Sequence, residues 1–276
     1  MSDLTNSVGF GEEKENDKTR RGMTERAQIS PSDTSLTFAK GLCVLKCFDA
    51  VAQQLTIPEI ARRCGIDRAV ARRLVLTLVR LGYVRQNGRS YTLSPRILVL
   101  AGGFLQGRRF GLAIQPVLEG FAAQCGQPLS MAMRDGDDAI FLAHTGGEGM
   151  APRLGFTVGS RLPLLVTAMG RALVVQEPPE RRARLVAEAP LTAWTERTVT
   201  DRAALAEMIE SAPPNGLMHC RGEFEPGVTA TAIGFRCSGG EIAAVGHSAE
   251  ESYYDMPGFR PRIEAALQRC ASALRG

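Results

Sequence analysis

From Ser35 onward, apolar side chains recur at three- and four-residue intervals. Phe38, Leu42, Leu45 and Phe48 line one side of an amphipathic helix. The next stretch, "TIPEIARRCG", carries its own boundaries. Thr56 with Glu59 makes a capping box, Pro58 suits a first turn, and Gly65 suits a stop. Asp67 caps a third helix, in which Ala71, Leu74, Val75 and Leu78 form the apolar stripe, Leu81 continues it and Gly82 ends it. Its other face holds Ala69, Arg72, Arg73 and Arg80. Two helices joined by Gly65-Ile66 predict a helix-turn-helix. "YVRQNGRSYTL" adds two short strands around Asn87-Gly88, the pair suited to a type I′ turn, and so completes a winged helix.

Ser94-Pro95 opens a further helix, "RILVLAGGF", apolar on nearly every side. Burial against a second copy, or in an intramolecular hinge, accounts for such a connector. Downstream, Ile114, Val117, Leu118 and Phe121 mark a helix ended by Gly126. "LSMAMRD" and "AIFLAH" predict a hairpin across "DGDD", and "PRLGFTV" another strand. "TAMGRALVVQ" and "DRAALAEMIES" predict helices, "GLMHC", "TATAIGFRC" and "EIAAVGHSA" strands, and residues 257–274 a closing helix. Helices and antiparallel strands mix without βαβ alternation, so the expected class is α+β. The expected divisions are a polar tail over 1–33, a winged helix over 34–94, a linker helix over 95–108 and a second domain over 109–276.

The apolar fraction is 44% of 276 residues, enough for real cores. No run of eighteen apolar residues and no signal-peptide pattern occurs in the chain, so a cytoplasmic protein is expected. The net charge of +4 conceals a division. Residues 35–109 carry thirteen Lys/Arg against three Asp/Glu, a local +10, whereas residues 110–276 carry −4. A basic module joined to a mildly acidic one suggests a polyanion binder coupled to another task.

Candidate chemistry is sparse. Seven scattered cysteines show neither a disulfide framework nor a zinc motif. Cys43 and Cys47, one helical turn apart, are read as small core residues, and no metal or cofactor is expected. His144, His219 and His247 sit in no catalytic motif. Glu223 and Glu225 in "RGEFEPG" are read as ion-paired or solvated acids. "GSRLPLLVTAMGRALVV" leads into a helix at Thr167, whose free N–H groups and dipole suit a carboxylate. A hydrolase or isomerase with a basic accessory module, or a non-specific architectural DNA protein, remain alternatives.

"AKGLCVLKCFD", "LTIPEIARRCGIDRAVARRLVLTLVRLGYV", "YTLSPRILVLAGGFL", "VGSRLPLLVTAMGRAL" and "EFEPGVTATAI" follow one another as in IclR-type transcriptional regulators. The chain resembles that family from about Ser35 to its end, and looks most like the branch governing protocatechuate, 4-hydroxybenzoate and β-ketoadipate catabolism. The resemblance implies a winged helix-turn-helix, a linker helix and a GAF-like effector domain, in dimers or tetramers that bind operator DNA and a small organic acid without catalysis. It places DNA contacts at Arg68, Ala69, Val70, Arg72 and Arg73; the hairpin reading adds Arg85, Asn87 and Arg89 on the wing. Ala69-Val70 replaces the Ser-Thr of many members. It places the effector pocket at Leu162, Ala168, Met169, Cys220, Val228, Ala230, Gly246 and Ser248, with Met131 and Met133 beneath, next to the helix start at Thr167. The usual polar or acidic residue is absent at Cys220, and Thr229 stands where arginine is common.

Overall fold

A computed structural model describes residues 33–49, 51–107, 113–146 and 157–275. The polar tail over residues 1–32, and residues 152–156 of the strand expected at "PRLGFTV", lie outside the described residues. The chain forms two compact units that meet between Gly102 and Gly103.

The first unit contains α1 (Leu36–Lys46), β1 (Gln54–Thr56), α2 (Ile57–Cys64), α3 (Arg68–Arg80), β2 (Val84–Asn87) and β3 (Ser90–Leu93). Its caps follow from local chemistry. The Glu59 carboxylate accepts from the Thr56 amide and hydroxyl, both at 2.7 Å. Gly65 turns left-handed at φ 62° to release α2, and the Asp67 carboxylate accepts from the Ala69 amide at 2.7 Å to start α3. Val44, Ile60, Ala71, Val75, Leu78, Val84 and Tyr91 then close over one another as a core. In the wing, Asn87 pairs with Ser90, so the tight turn is Gly88-Arg89, with Gly88 at φ 60°. That is one residue beyond the expected centre, because the Val84–Leu93 register draws Asn87 into the ladder. β1, absent from the sequence reading, adds to β3 as a third strand.

A helix, α4 (Ile97–Gly107), lies within the stretch 95–108 where a linker helix was expected. None of its residues is buried within the chain. Leu98 and Val99 are each 71% exposed.

The second unit contains α5 (Gln115–Cys125), β4 (Ser130–Asp135), β5 (Asp138–His144), β6 (Arg161–Pro163), α6 (Ala168–Val175), α7 (Pro179–Glu188) and α8 (Arg202–Glu210), followed by β7 (Leu217–Arg221), β8 (Val228–Arg236), β9 (Ile242–Glu250), α9 (Glu251–Tyr254) and α10 (Phe259–Leu274). Its six strands form a wholly antiparallel sheet in the order β6-β5-β4-β9-β8-β7. Thr157 and Val158 are not strand residues; the sheet takes its edge from β6 instead. One face packs against α6, α7 and α8 through Leu173, Leu185, Leu205 and Ile209. The other packs against α5 and α10 through Leu118, Ile263 and Leu267. The unit mixes helices and sheet, as expected.

Two glycines seat α6. A Cβ on Gly234 would overlap the Ala172 carbonyl, and one on Gly170 would overlap the Leu164 carbonyl. The helix therefore lies backbone to backbone on β8 and on its own lead-in.

Candidate DNA-contact face and ligand cavity

In the first unit, α3 turns its apolar stripe inward and its cations outward. Arg68, Ala69, Arg72, Arg73 and Arg80 are exposed, and Val70 is half-buried. Arg85, Asn87 and Arg89 are exposed on the wing. Among the described residues, none of these arginines is in an ion pair, so their charge faces solvent. Arg63 differs. Its guanidinium donates to the Cys47 carbonyl at 3.0 Å and to the Asp49 carboxylate at 3.1 Å, fastening α2 to the end of α1. The exposed start of α3 beside a basic wing has the shape and charge that enter a major groove.

The second unit holds a cavity of about 620 Å³ between α6 and the sheet. Ala168 and Met169 form part of its wall at the start of α6, where helix amides have no intrahelical acceptor. Thr167 donates to the Pro163 carbonyl at 2.9 Å and accepts from the Gly170 amide at 3.1 Å, fixing this helix end. Apolar walls come from Phe141, Leu162, Val228, Ala230 and Ala232. Among the described residues, no lysine or arginine lines it.

Its polar groups are held in defined states. Ser130 Oγ and His144 Nδ1 share a hydrogen bond of 2.8 Å, and burial lowers the His144 pKa. Burial, with Arg262 second, lowers His247 to about 4. Burial pushes the Cys220 thiol up to about 12, so it stays protonated. Glu223 faces the fully buried Arg171, with Nη1 and Nη2 donating to its two oxygens at 3.0 and 2.5 Å. Phe224 lines the cavity and packs on Trp194, with ring centroids 4.7 Å apart.

Residues 37–88 match the IclR helix-turn-helix domain, and residues 106–275 match the bacterial transcriptional regulator IclR C-terminal family. The chain is 31% identical over 212 residues to the Pca regulon regulatory protein of Pseudomonas putida, spanning 77% of this chain and 73% of that protein. The chain belongs to the IclR family. An IclR regulator from Silicibacter superposes with a TM-score of 0.77 at 26% identity, covering 87% of this chain and 94% of that one. An IclR homologue from Microbacterium hydrocarbonoxydans, solved with 4-hydroxybenzoate, superposes with a TM-score of 0.72 at 24% identity, covering 87% and 99%. Proteins of this family are DNA-binding transcriptional regulators, not enzymes. No helix among the described residues is long and apolar enough to cross a membrane.

Within this IclR chain, Leu162, Thr167, Ala168, Met169, Cys220, Val228, Ala230, Gly246 and Ser248 come together around the cavity. Met131 and Met133 do not. They alternate with Ser130 and Ala132 along β4 and pack into the opposite core, under α5 and α10. Thr229 is buried outside the lining, and its hydroxyl has no hydrogen-bond partner among the described residues. Sequence reasoning missed the lining by Ser130, Phe141, His144 and Tyr253, and it missed the Arg171–Glu223 pair. One signal was available for the last: Arg171 is the lone charge in an otherwise apolar helix.

Folding also gathers Cys64 beside the Cys43 and Cys47 pair, with all three sulfurs within 4.8 Å of one another. Burial, and then Cys47 and Cys43, push the Cys64 thiol up.

Proposed function

We propose that this regulator senses a small aromatic acid and controls an operon for its breakdown, working in the cytoplasm as a homodimer or homotetramer. The start of α6 facing the cavity carries the reading. A carboxylate placed there meets the free amides of Ala168 and Met169 and the positive end of the helix dipole. Phe141, Leu162 and Val228 offer apolar contact to a ring, and Ser130, His144 and Glu225 offer partners to ring hydroxyls. The Pca regulator of Pseudomonas putida and the homologue that binds 4-hydroxybenzoate support the same choice.

On the DNA side, Arg68, Arg72 and Arg73 contact base edges or phosphates, with Ala69 and Val70 against thymine methyls. Arg85, Asn87 and Arg89 hold the backbone beside the wing. Exposure of Leu98, Val99, Leu100 and Phe104 supports pairing of two copies along α4.

Thermal unfolding with 4-hydroxybenzoate, protocatechuate, β-ketoadipate and benzoate tests the effector. A ligand at one hundred times its Kd adds about 2.7 kcal/mol and raises the midpoint visibly. If no acid moves the midpoint, the sensing role fails.

A further inference from the structure

We propose that Cys43, Cys47 and Cys64 form a three-sulfur site for a thiophilic cation of the zinc(II) or copper(I) class, inside the DNA-binding unit. One sulfur comes from Cys43 in the last turn of α1, one from Cys47, which caps that helix, and the third from the last residue of α2. The three elements of a trigonal site are thus brought together by the core packing of the helix-turn-helix, not by a local motif.

The geometry fits such an ion. A metal about 2.3 Å from each of three sulfurs in a plane holds them about 4 Å apart. Here all three lie within 4.8 Å of one another, and Cys47 and Cys64 are in contact at 3.0 Å. Loading therefore separates that last pair by about 1 Å. Cys64 can supply the movement, because it is only half-buried and ends its helix. Thiolates select soft cations over magnesium or calcium.

Charge fits as well. Binding a divalent ion releases three protons and leaves one net negative charge on the cluster. The Arg63 guanidinium, bonded to the carbonyl of Cys47, stands beside it. Cys43 and Cys64 are half-buried, which leaves a route for entry. The cation would tie the end of α2, immediately before the Gly65 turn that aims α3, to α1.

The experiment uses the full chain, reduced and stripped with chelator. Cobalt(II) serves as the optical stand-in for zinc, and copper(I) is titrated separately against a competing chelator. One equivalent of cobalt should produce a thiolate-to-metal charge-transfer band, release three protons and be displaced by zinc; tight uptake of one copper(I) alone would assign the site to copper. Cys43→Ser and Cys64→Ser should each weaken binding more than tenfold with the circular dichroism spectrum unchanged, while Cys237→Ser in the other unit leaves it intact. The proposal is overturned if neither cation binds, or if binding survives both cluster variants. It is also overturned if the reduced protein takes up no cation and mild oxidant instead joins Cys47 to Cys64 as a disulfide.

Discussion

Arg171 and Glu223 meet as a two-pronged ion pair at the heart of the second unit, bonded at 3.0 and 2.5 Å with Arg171 wholly buried. Arg171 also donates to the Leu165 carbonyl at 2.7 Å, so one side chain ties α6, its lead-in and the β7–β8 loop together. Removing Glu223 leaves the wholly buried Arg171 charge unpaired, and removing Arg171 leaves a nearly buried carboxylate without its partner. Glu223→Gln should cost about 3–5 kcal/mol in urea unfolding, and Arg171→Met a similar amount. The double variant should cost less than the sum of the two, as a double-mutant cycle would read.

Gly170 gives a second prediction. Its missing Cβ is what lets the helix approach the Leu164 backbone, and no side-chain rotation can relieve an overlap with a carbonyl. Gly170→Ala should destabilise the unit at or above the upper end of the about 1–3 kcal/mol typical of overpacking. It should also abolish acid binding by displacing Ala168 and Met169. Gly103→Ala, where a Cβ meets nothing within 4 Å, is the control.

The two parts of the basic face should behave differently on DNA. Arg72→Ala should weaken operator binding by about 1–3 kcal/mol and relax preference at one base position. Arg85→Ala should weaken specific and random DNA alike and lower the salt dependence by about one charge. Titrations at two salt concentrations separate the cases. Equal affinity of the Arg72 variant for the operator would remove that residue from the interface.

His247 makes stability depend on acidity. Its ring is buried against Tyr254, Phe259 and Gln127, with Tyr254 2.9 Å from Nδ1, and its pKa falls from 6.5 to about 4. Between those values the unfolded chain holds the proton and the folded chain does not. This contribution is therefore present above pH 6.5 and is lost as the pH falls toward 4, by on the order of 3 kcal/mol. His247→Gln should flatten the midpoint-versus-pH curve across that window, and an unchanged slope would reject the assignment.

The winged helix was legible because its signals are local. Thr56 and Glu59 are three residues apart, Asp67 lies just before its helix, and the stripe through Ala71, Val75 and Leu78 repeats within four turns. The turn centre shifted by one residue because strand register, a property of two segments together, overrode the preference of Asn87-Gly88. β1 is three residues long, too short for any periodicity, and exists through its pairing with Ser90–Thr92. α7 was not anticipated either, since only Leu185 and Val186 of its ten residues are buried. In the cavity, the resemblance selected eight lining positions and the helix-start pattern a ninth, Thr167, whereas simple alternation along β4 was enough to turn Met131 and Met133 away from it. Arg171 and Glu223 are 52 residues apart, and no pattern along one strand or helix joins them.

Because bare peptide meets bare peptide where α6 crosses Gly234, that wall of the chamber is stiff: the helix cannot slide without breaking the sheet beneath it. The opposite rim, at Glu223, is clamped to that same helix through Arg171, so both walls of the chamber are braced by α6.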